Sequence, residues 1–213
     1  DPADLLTSTT NAVGATRPFK ARPALNIETF GTEPRDWLLA SGMIPEDLKN
    51  TWVTTVDLAL QGVRNCFERT QGTRAIRLHG DCHAGNILWT EGGNRAEALG
   101  GPHFVDLDDA RMGPAVQDLW MLLAGDRETA AKQLKALLEG YERFHGFNRE
   151  ELGLIEPLRT LRLIHYSAWL ARRWEDPAFP AAFPWFGTPR YWQDRILELR
   201  EQTSNMDEAP LAV

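Results

Sequence analysis

The sequence predicts an α+β fold, mainly α, organised around one small antiparallel hairpin. Three observations lead there. Strand-like runs are confined to residues 75–107, amphipathic helical spacing fills most of the chain on either side, and a polar motif, His79-Gly80-Asp81-Cys82-His83-Ala84-Gly85-Asn86, stands between two of the strands.

Residues 1–35 are rich in Thr, Ala, Pro and Gly and read as a short amphipathic start followed by an irregular segment. Pro34 and Asp36 open a short helix that reaches Leu39. Pro45-Glu46-Asp47 marks a second helix start, with proline and acidic residues in the first turn. Trp52, Val56, Leu60, Val63 and Phe67 then keep helical spacing within Leu48–Arg69. Ala75–Leu78 is a short strand, Ile87–Trp89 a second and His103–Leu107 a third, with a polar connection from Thr90 to Pro102 between the last two. Strands joined directly in this way form an antiparallel pair. Val116–Ala124 and Thr129–Phe144 have amphipathic spacing, and Leu152–Trp174 is a long apolar-faced helix with an interruption expected near Pro157. Pro177–Pro189 reads as an aromatic, proline-rich loop. Tyr191–Thr203 is a last helix, and the tail from Ser204 is expected to fray. The expected division is an irregular segment over 1–35, a main domain over 36–203 and a flexible tail over 204–213.

The bulk properties narrow the function classes. The chain has 213 residues with 43% hydrophobic and 25% charged content, ordinary for a globular domain. No apolar run approaches the ~20 residues of a membrane helix. No basic-then-apolar stretch of a secretory leader opens the sequence. A net charge of −7 argues against broad nucleic-acid binding. The two cysteines, Cys66 and Cys82, form no disulfide framework and fit a reducing compartment. Eight tryptophans, most of them after residue 119, are expected in the core. The expectation is a monomer that engages neither nucleic acid nor membrane.

The motif carries the chemistry. Phosphoryl transfer from ATP needs one group to orient the attacking hydroxyl and take its proton, and others to hold Mg²⁺, a hard ion that prefers oxygen ligands. Kinase-type catalytic loops supply these with His-x-Asp followed five residues later by Asn. His79, Asp81 and Asn86 have that spacing, and Asp106 follows Phe104-Val105 near the end of the return strand. In an antiparallel hairpin the start of one strand neighbours the end of the next. Asp81, Asn86 and Asp106 are therefore expected at one rim, with the Thr90–Pro102 connection at the other. Asp81 is the expected acceptor-activating base, and Asn86 and Asp106 are the expected Mg²⁺ ligands. His79 is expected to brace the loop, Asp108 and Asp109 to stand near the metal as solvated or supporting carboxylates, and Asp118 to hydrogen-bond the catalytic loop.

The run Leu78 to Trp89 resembles the aminoglycoside phosphotransferase and choline kinase superfamily, whose fold is similar to that of protein kinases. Phe104-Val105-Asp106-Leu107-Asp108-Asp109-Ala110-Arg111 with Gly113–Met121 resembles its bacterial stress response kinase A subgroup. So do Ala168-Trp169-Leu170-Ala171-Arg172-Arg173-Trp174, Asp176–Pro180 and Phe183-Pro184-Trp185. The likeness runs from about residue 15 to 195. It implies a protein-kinase-like C-terminal lobe and a cytoplasmic serine/threonine protein kinase using ATP and Mg²⁺, with its base at Asp81 and its metal ligands at Asn86 and Asp106. The lysines are Lys20, Lys49, Lys132 and Lys135; none lies in a Val-Ala-x-Lys-like strand, and no glycine-rich phosphate loop precedes the motif. An N-terminal ATP-binding lobe is therefore expected outside these residues, and the isolated chain is expected to be a poor kinase.

Other readings remain open at this level. His79, Asp81 and His83 alternate as zinc ligands do, which would suit a metallohydrolase. A pseudokinase-like binding lobe is the non-enzymatic alternative. The acceptor is a protein or a small hydroxyl compound. Tyr166, Trp169, Trp174 and Trp185 could cage a choline-like cation or simply pack, and Arg159, Arg162, Arg172 and Arg173 could meet an acidic acceptor. Cys82, beside Asp81, is either a packing residue or a redox-sensitive thiol.

Overall fold

The structure is a computed structural model that describes residues 18–19, 21–70, 72–92 and 100–213. In chain order the elements are a π-helical turn at Glu28–Thr32, α1 (Glu33–Ser41), α2 (Glu46–Arg69), β1 (Ile76–Leu78), a 3-10 turn at Ala84–Asn86, β2 (Ile87–Thr90) and β3 (Gly101–Phe104). A 3-10 turn at Leu107–Asp109 leads to β4 (Arg111–Gly113), α3 (Val116–Trp120) and α4 (Arg127–Tyr141). A further 3-10 stretch, Arg149–Leu154, precedes α5 (Ile155–Arg172), α6 (Ala178–Ala182) and α7 (Pro189–Asn205). The described chain is mainly helical with two small antiparallel sheets. It divides into two compact units, one of residues 1–24, 73–152 and 211–213, the other of residues 25–72 and 153–210.

The second unit is a helical bundle. Pro45 stands immediately before α2, Glu46 and Asp47 occupy its first turn, and Trp52, Val56, Leu60 and Val63 lie on its buried face. That face packs against α5 and α7, and α1 packs against α5. Trp52 and Trp192 meet edge to face, with centroids 6.2 Å apart. The π-helical turn falls where the sequence suggested irregular chain. Its Gly31 lies so close to the bundle that a Cβ would stand 2.6 Å from Leu60 Cδ2 and 2.9 Å from Leu161 Cδ2. Pro157 does not interrupt α5. It sits in the first turn, where its missing N–H has no helical partner to lose. Thr188 caps α7 through the Tyr191 amide, so that helix begins two residues earlier than expected. It runs to Asn205, and Met206 and Leu211 beyond it are buried, so apolar anchoring extends into the segment expected to fray.

The first unit holds the two sheets. β2 and β3 pair as expected, with Ile87 opposite Phe104 and Thr90 opposite Gly101. The return strand is shorter than expected, however, ending at Phe104 because Asp106 turns into a left-handed conformation, with φ 62° and ψ 63°. β1 pairs instead with β4, Leu78 opposite Arg111. β4 is three residues long and has no periodicity to announce it. Helix α3 stops at Trp120, and α4 restarts at Arg127 on an Asp126 cap.

Candidate active site

The motif loop leaves β1 at His79 and enters β2 at Ile87. Gly80 has φ +86°, which favours glycine, and a Cβ there would stand 2.2 Å from the Asp109 carbonyl oxygen. The motif loop and the loop after Asp106 thus approach closely at the backbone.

Asp118, on α3, accepts from the backbone N–H of His79 at 2.7 Å and of Gly80 at 2.9 Å, one on each carboxylate oxygen. Burial raises its pKa, and the two amide hydrogen bonds oppose that rise. The loop hydrogen bond expected of Asp118 is present. Gln117 adds a second tie, donating from Nε2 to the Gly80 carbonyl at 3.3 Å, and its Oε1 accepts from Trp120 Nε1 at 3.0 Å. Glu151 accepts from the Val116 N–H at 3.0 Å and so holds the start of α3. Sequence reasoning missed Gln117 and Glu151, since a polar residue on a short helix carries no sign of the face it buries.

His79 spans the two loops. Its Nε2 lies 2.8 Å from the Val105 carbonyl, and its Nδ1 accepts from the Asp81 N–H at 3.4 Å, a pairing that assigns the ring proton to Nε2. The Asn86 carbonyl accepts from the Val105 N–H at 3.0 Å. Asn86 Nδ2 donates to the Asp81 carbonyl at 3.0 Å and faces Asp81 Oδ2 at 3.5 Å. Hydrogen bonds thus link Asp81 to Asn86 and Asn86 to Val105, the residue before Asp106. His83 Nδ1 accepts from the Gly85 N–H at 3.0 Å, which leaves Nε2 facing Asp81 Oδ2 at 3.5 Å.

The donor set suits a hard cation. With Nδ2 of Asn86 committed to Asp81, its Oδ1 makes no hydrogen bond among the described residues, and neither does the exposed Asp106 carboxylate. Both are oxygen ligands of the kind Mg²⁺ takes, and two protein ligands leave room for phosphate oxygens and water. Asp108 is exposed, and Asp109 pairs with Arg111. The alternating zinc trio is not assembled: both ring nitrogens of His79 are committed within the loops, and no group of three or more His, Cys, Asp or Glu among the described residues could hold a metal ion.

Cys82 is buried, and burial, with the nearby charges of Asp118 and Asp81, pushes its thiol up to about 12. It is a packing residue. The aromatic residues likewise pack: Tyr166 stacks on Trp169, Trp174 lies against Phe186, and Arg173 and Arg172 cover the faces of Trp169 and Trp37. Tyr166 and Trp185 do line a groove of about 580 Å³, together with Asp194, Glu198 and Glu201.

The loop and the hairpin thus bring a braced carboxylate and an amide beside the residue that precedes a second aspartate. The chain belongs to the APH phosphotransferase enzyme family, whose model matches residues 10–155. It is 46% identical over 198 residues to the stress response kinase A of Salmonella choleraesuis (strain SC-B67) and to the serine/threonine protein kinase RdoA of Salmonella typhimurium. It is 45% identical over 193 residues to the stress response kinase A of Escherichia coli K12. These matches cover 93%, 93% and 91% of this chain but 57%, 57% and 56% of the relatives, so the chain spans a little over half of their length.

Proposed function

We propose that the full-length protein is an ATP-dependent kinase, a serine/threonine protein kinase of the stress response type, working in the cytoplasm. In this reading the present residues form a kinase-like C-terminal lobe that carries the acceptor and metal half of the site. A phosphate-covering loop and a strand lysine from elsewhere in the full-length protein complete it. The observation that carries the reading is the hydrogen-bonded stitching of Asp81 to Asn86 and of Asn86 and His79 to Val105, which brings the two loops together.

Asp81 accepts a hydrogen bond from the acceptor hydroxyl and takes its proton as the oxygen bonds to the γ-phosphorus. ADP departs with the electrons of the broken P–O bond. Asn86 Oδ1 and the Asp106 carboxylate are the residues that would hold Mg²⁺, which when bound neutralises charge on the phosphate oxygens. Asp118 and His79 hold the loop so that Asp81 does not move between encounters. No helix among the described residues is long and apolar enough to cross a membrane.

The test is Asp81→Ala in the full-length protein, assayed with Mg-ATP against serine- and threonine-containing protein acceptors and against small alcohols. Loss of a positioned base is expected to slow transfer roughly 10²–10⁴-fold. Unchanged transfer would remove Asp81 from the mechanism, and activity confined to small alcohols would replace the protein acceptor.

A further inference from the structure

Asp106 is the only non-glycine residue with positive φ among the described residues, and in the turn that follows it Leu107, Asp108 and Asp109 are exposed and Ala110 is buried. A strained conformation of that kind persists only where its surroundings hold it. The holding group comes from far away in sequence. Arg22 Nη1 donates to the carbonyl of Asp108 at 2.7 Å, of Ala110 at 3.0 Å and of Leu107 at 3.3 Å. Arg111 Nε takes the remaining carbonyl of the turn, that of Asp109, at 2.7 Å. Two guanidinium groups therefore receive all four carbonyls of the turn after Asp106. The Arg111 half is local, two residues from Asp109. The Arg22 half ties the turn to a segment 85 residues upstream.

We propose that Arg22 is a positioning residue of the metal site. It fixes the turn that keeps Asp106 left-handed, and so fixes the direction of the Asp106 carboxylate. The inference rests on the reading of Asp106 as a metal ligand. Its chemistry is that of an outer-shell partner: a cationic donor orders the backbone next to a ligand without touching the ion. Arginine suits the task because one nitrogen with two hydrogens can be shared among several carbonyls while the rest of the planar group stays put.

The experiment titrates Mn²⁺, a paramagnetic stand-in for Mg²⁺, into the 213-residue chain. Free ion is followed by electron paramagnetic resonance, and thermal melting is recorded beside it. Arg22→Met is expected to weaken Mn²⁺ binding roughly 10-fold, the usual effect of losing an outer-shell partner. Arg22→Lys, which keeps a cationic donor, should recover part of the loss, and Asp106→Asn sets the floor. In the full-length enzyme, Arg22→Met should raise the Mg²⁺ concentration needed for half-maximal rate and leave kcat at saturating Mg²⁺ near the wild-type value. If Asp106→Asn binds Mn²⁺ as the wild type does, the ligand reading fails. If Asp106→Asn weakens binding and folded Arg22→Met does not, the ligand reading survives and the role of Arg22 is overturned. Should Arg22→Met not fold, Arg22→Lys decides: weaker binding than wild type supports the proposal, and wild-type binding overturns it.

Discussion

A thiol one residue from the proposed base, Asp81, invites a redox role, and the surroundings of Cys82 decide against it. The side chain is 4% exposed, and its ionisation is opposed first by burial and then by the charges of Asp118 and Asp81. With the thiol pushed up to about 12, roughly one molecule in ten thousand would carry the thiolate at pH 8, and the thiolate is the reactive form. Cys66 is buried as well. Native protein at pH 8 should therefore react with a thiol-specific reagent at only a small fraction of the rate seen in denaturant. Rapid modification of Cys82 in the folded state, located by peptide mapping, would contradict this account. The same burial explains why a cysteine is tolerated beside Asp81 at all, since an uncharged thiol leaves the carboxylate as the local negative charge.

At the scale of elements, the site depends on how closely two loops approach, and Gly80 sets that distance. Replacing it with Ala would require both a disfavoured φ of +86° and a Cβ 2.2 Å from a backbone oxygen, a clash that no rotamer change can relieve. Gly80→Ala should lower stability by about 1–3 kcal/mol in chemical denaturation and disturb the Asp118 clasp. A fully stable and fully active variant would show that the loops can separate without cost. The hairpin and the hydrogen bonds of Asp118 to the motif loop could be anticipated from sequence, because spacing and alternation are local signals. β4 and the left-handed turn at Asp106 could not. A three-residue strand has no period, and only a contact with β1 makes Arg111–Gly113 a strand. Arg22 was invisible for a different reason: its partners are carbonyl groups, which every residue has, so its identity says nothing about where it binds.

Across the whole molecule, the carboxyls with resolved shifts set how the fold should respond to acid. Asp118 and Glu151 in the first unit and Glu198 in the second all have raised pKa values, with burial as the largest cause in each. A carboxyl raised in the folded state binds its proton there at a pH where the unfolded chain does not. As pH falls from neutral towards the ordinary carboxyl values of 3.8 and 4.5, the native state takes up protons first and stability increases. Asp126 acts in the opposite sense. The Thr129 amide and hydroxyl lower its pKa, so its contribution is present above the unfolded value and is lost as pH falls through the folded one. The thermal midpoint should therefore rise as pH falls from neutral towards the ordinary carboxyl values and fall again at lower pH, where the Asp126 contribution is lost. Glu151→Gln keeps an oxygen to accept the Val116 N–H yet removes the ionisation, so it should flatten the acid-side rise while leaving the helix start in place. Asp118→Asn should flatten it too. It should also weaken the motif loop, because its amide nitrogen would face one of the two N–H groups that the carboxylate now accepts. Differential scanning calorimetry of the three proteins from pH 7 to 3.5 distinguishes the cases. A midpoint that falls steadily from neutral pH, identically in the wild type and both variants, would mean that these buried carboxyls do not control the acid response.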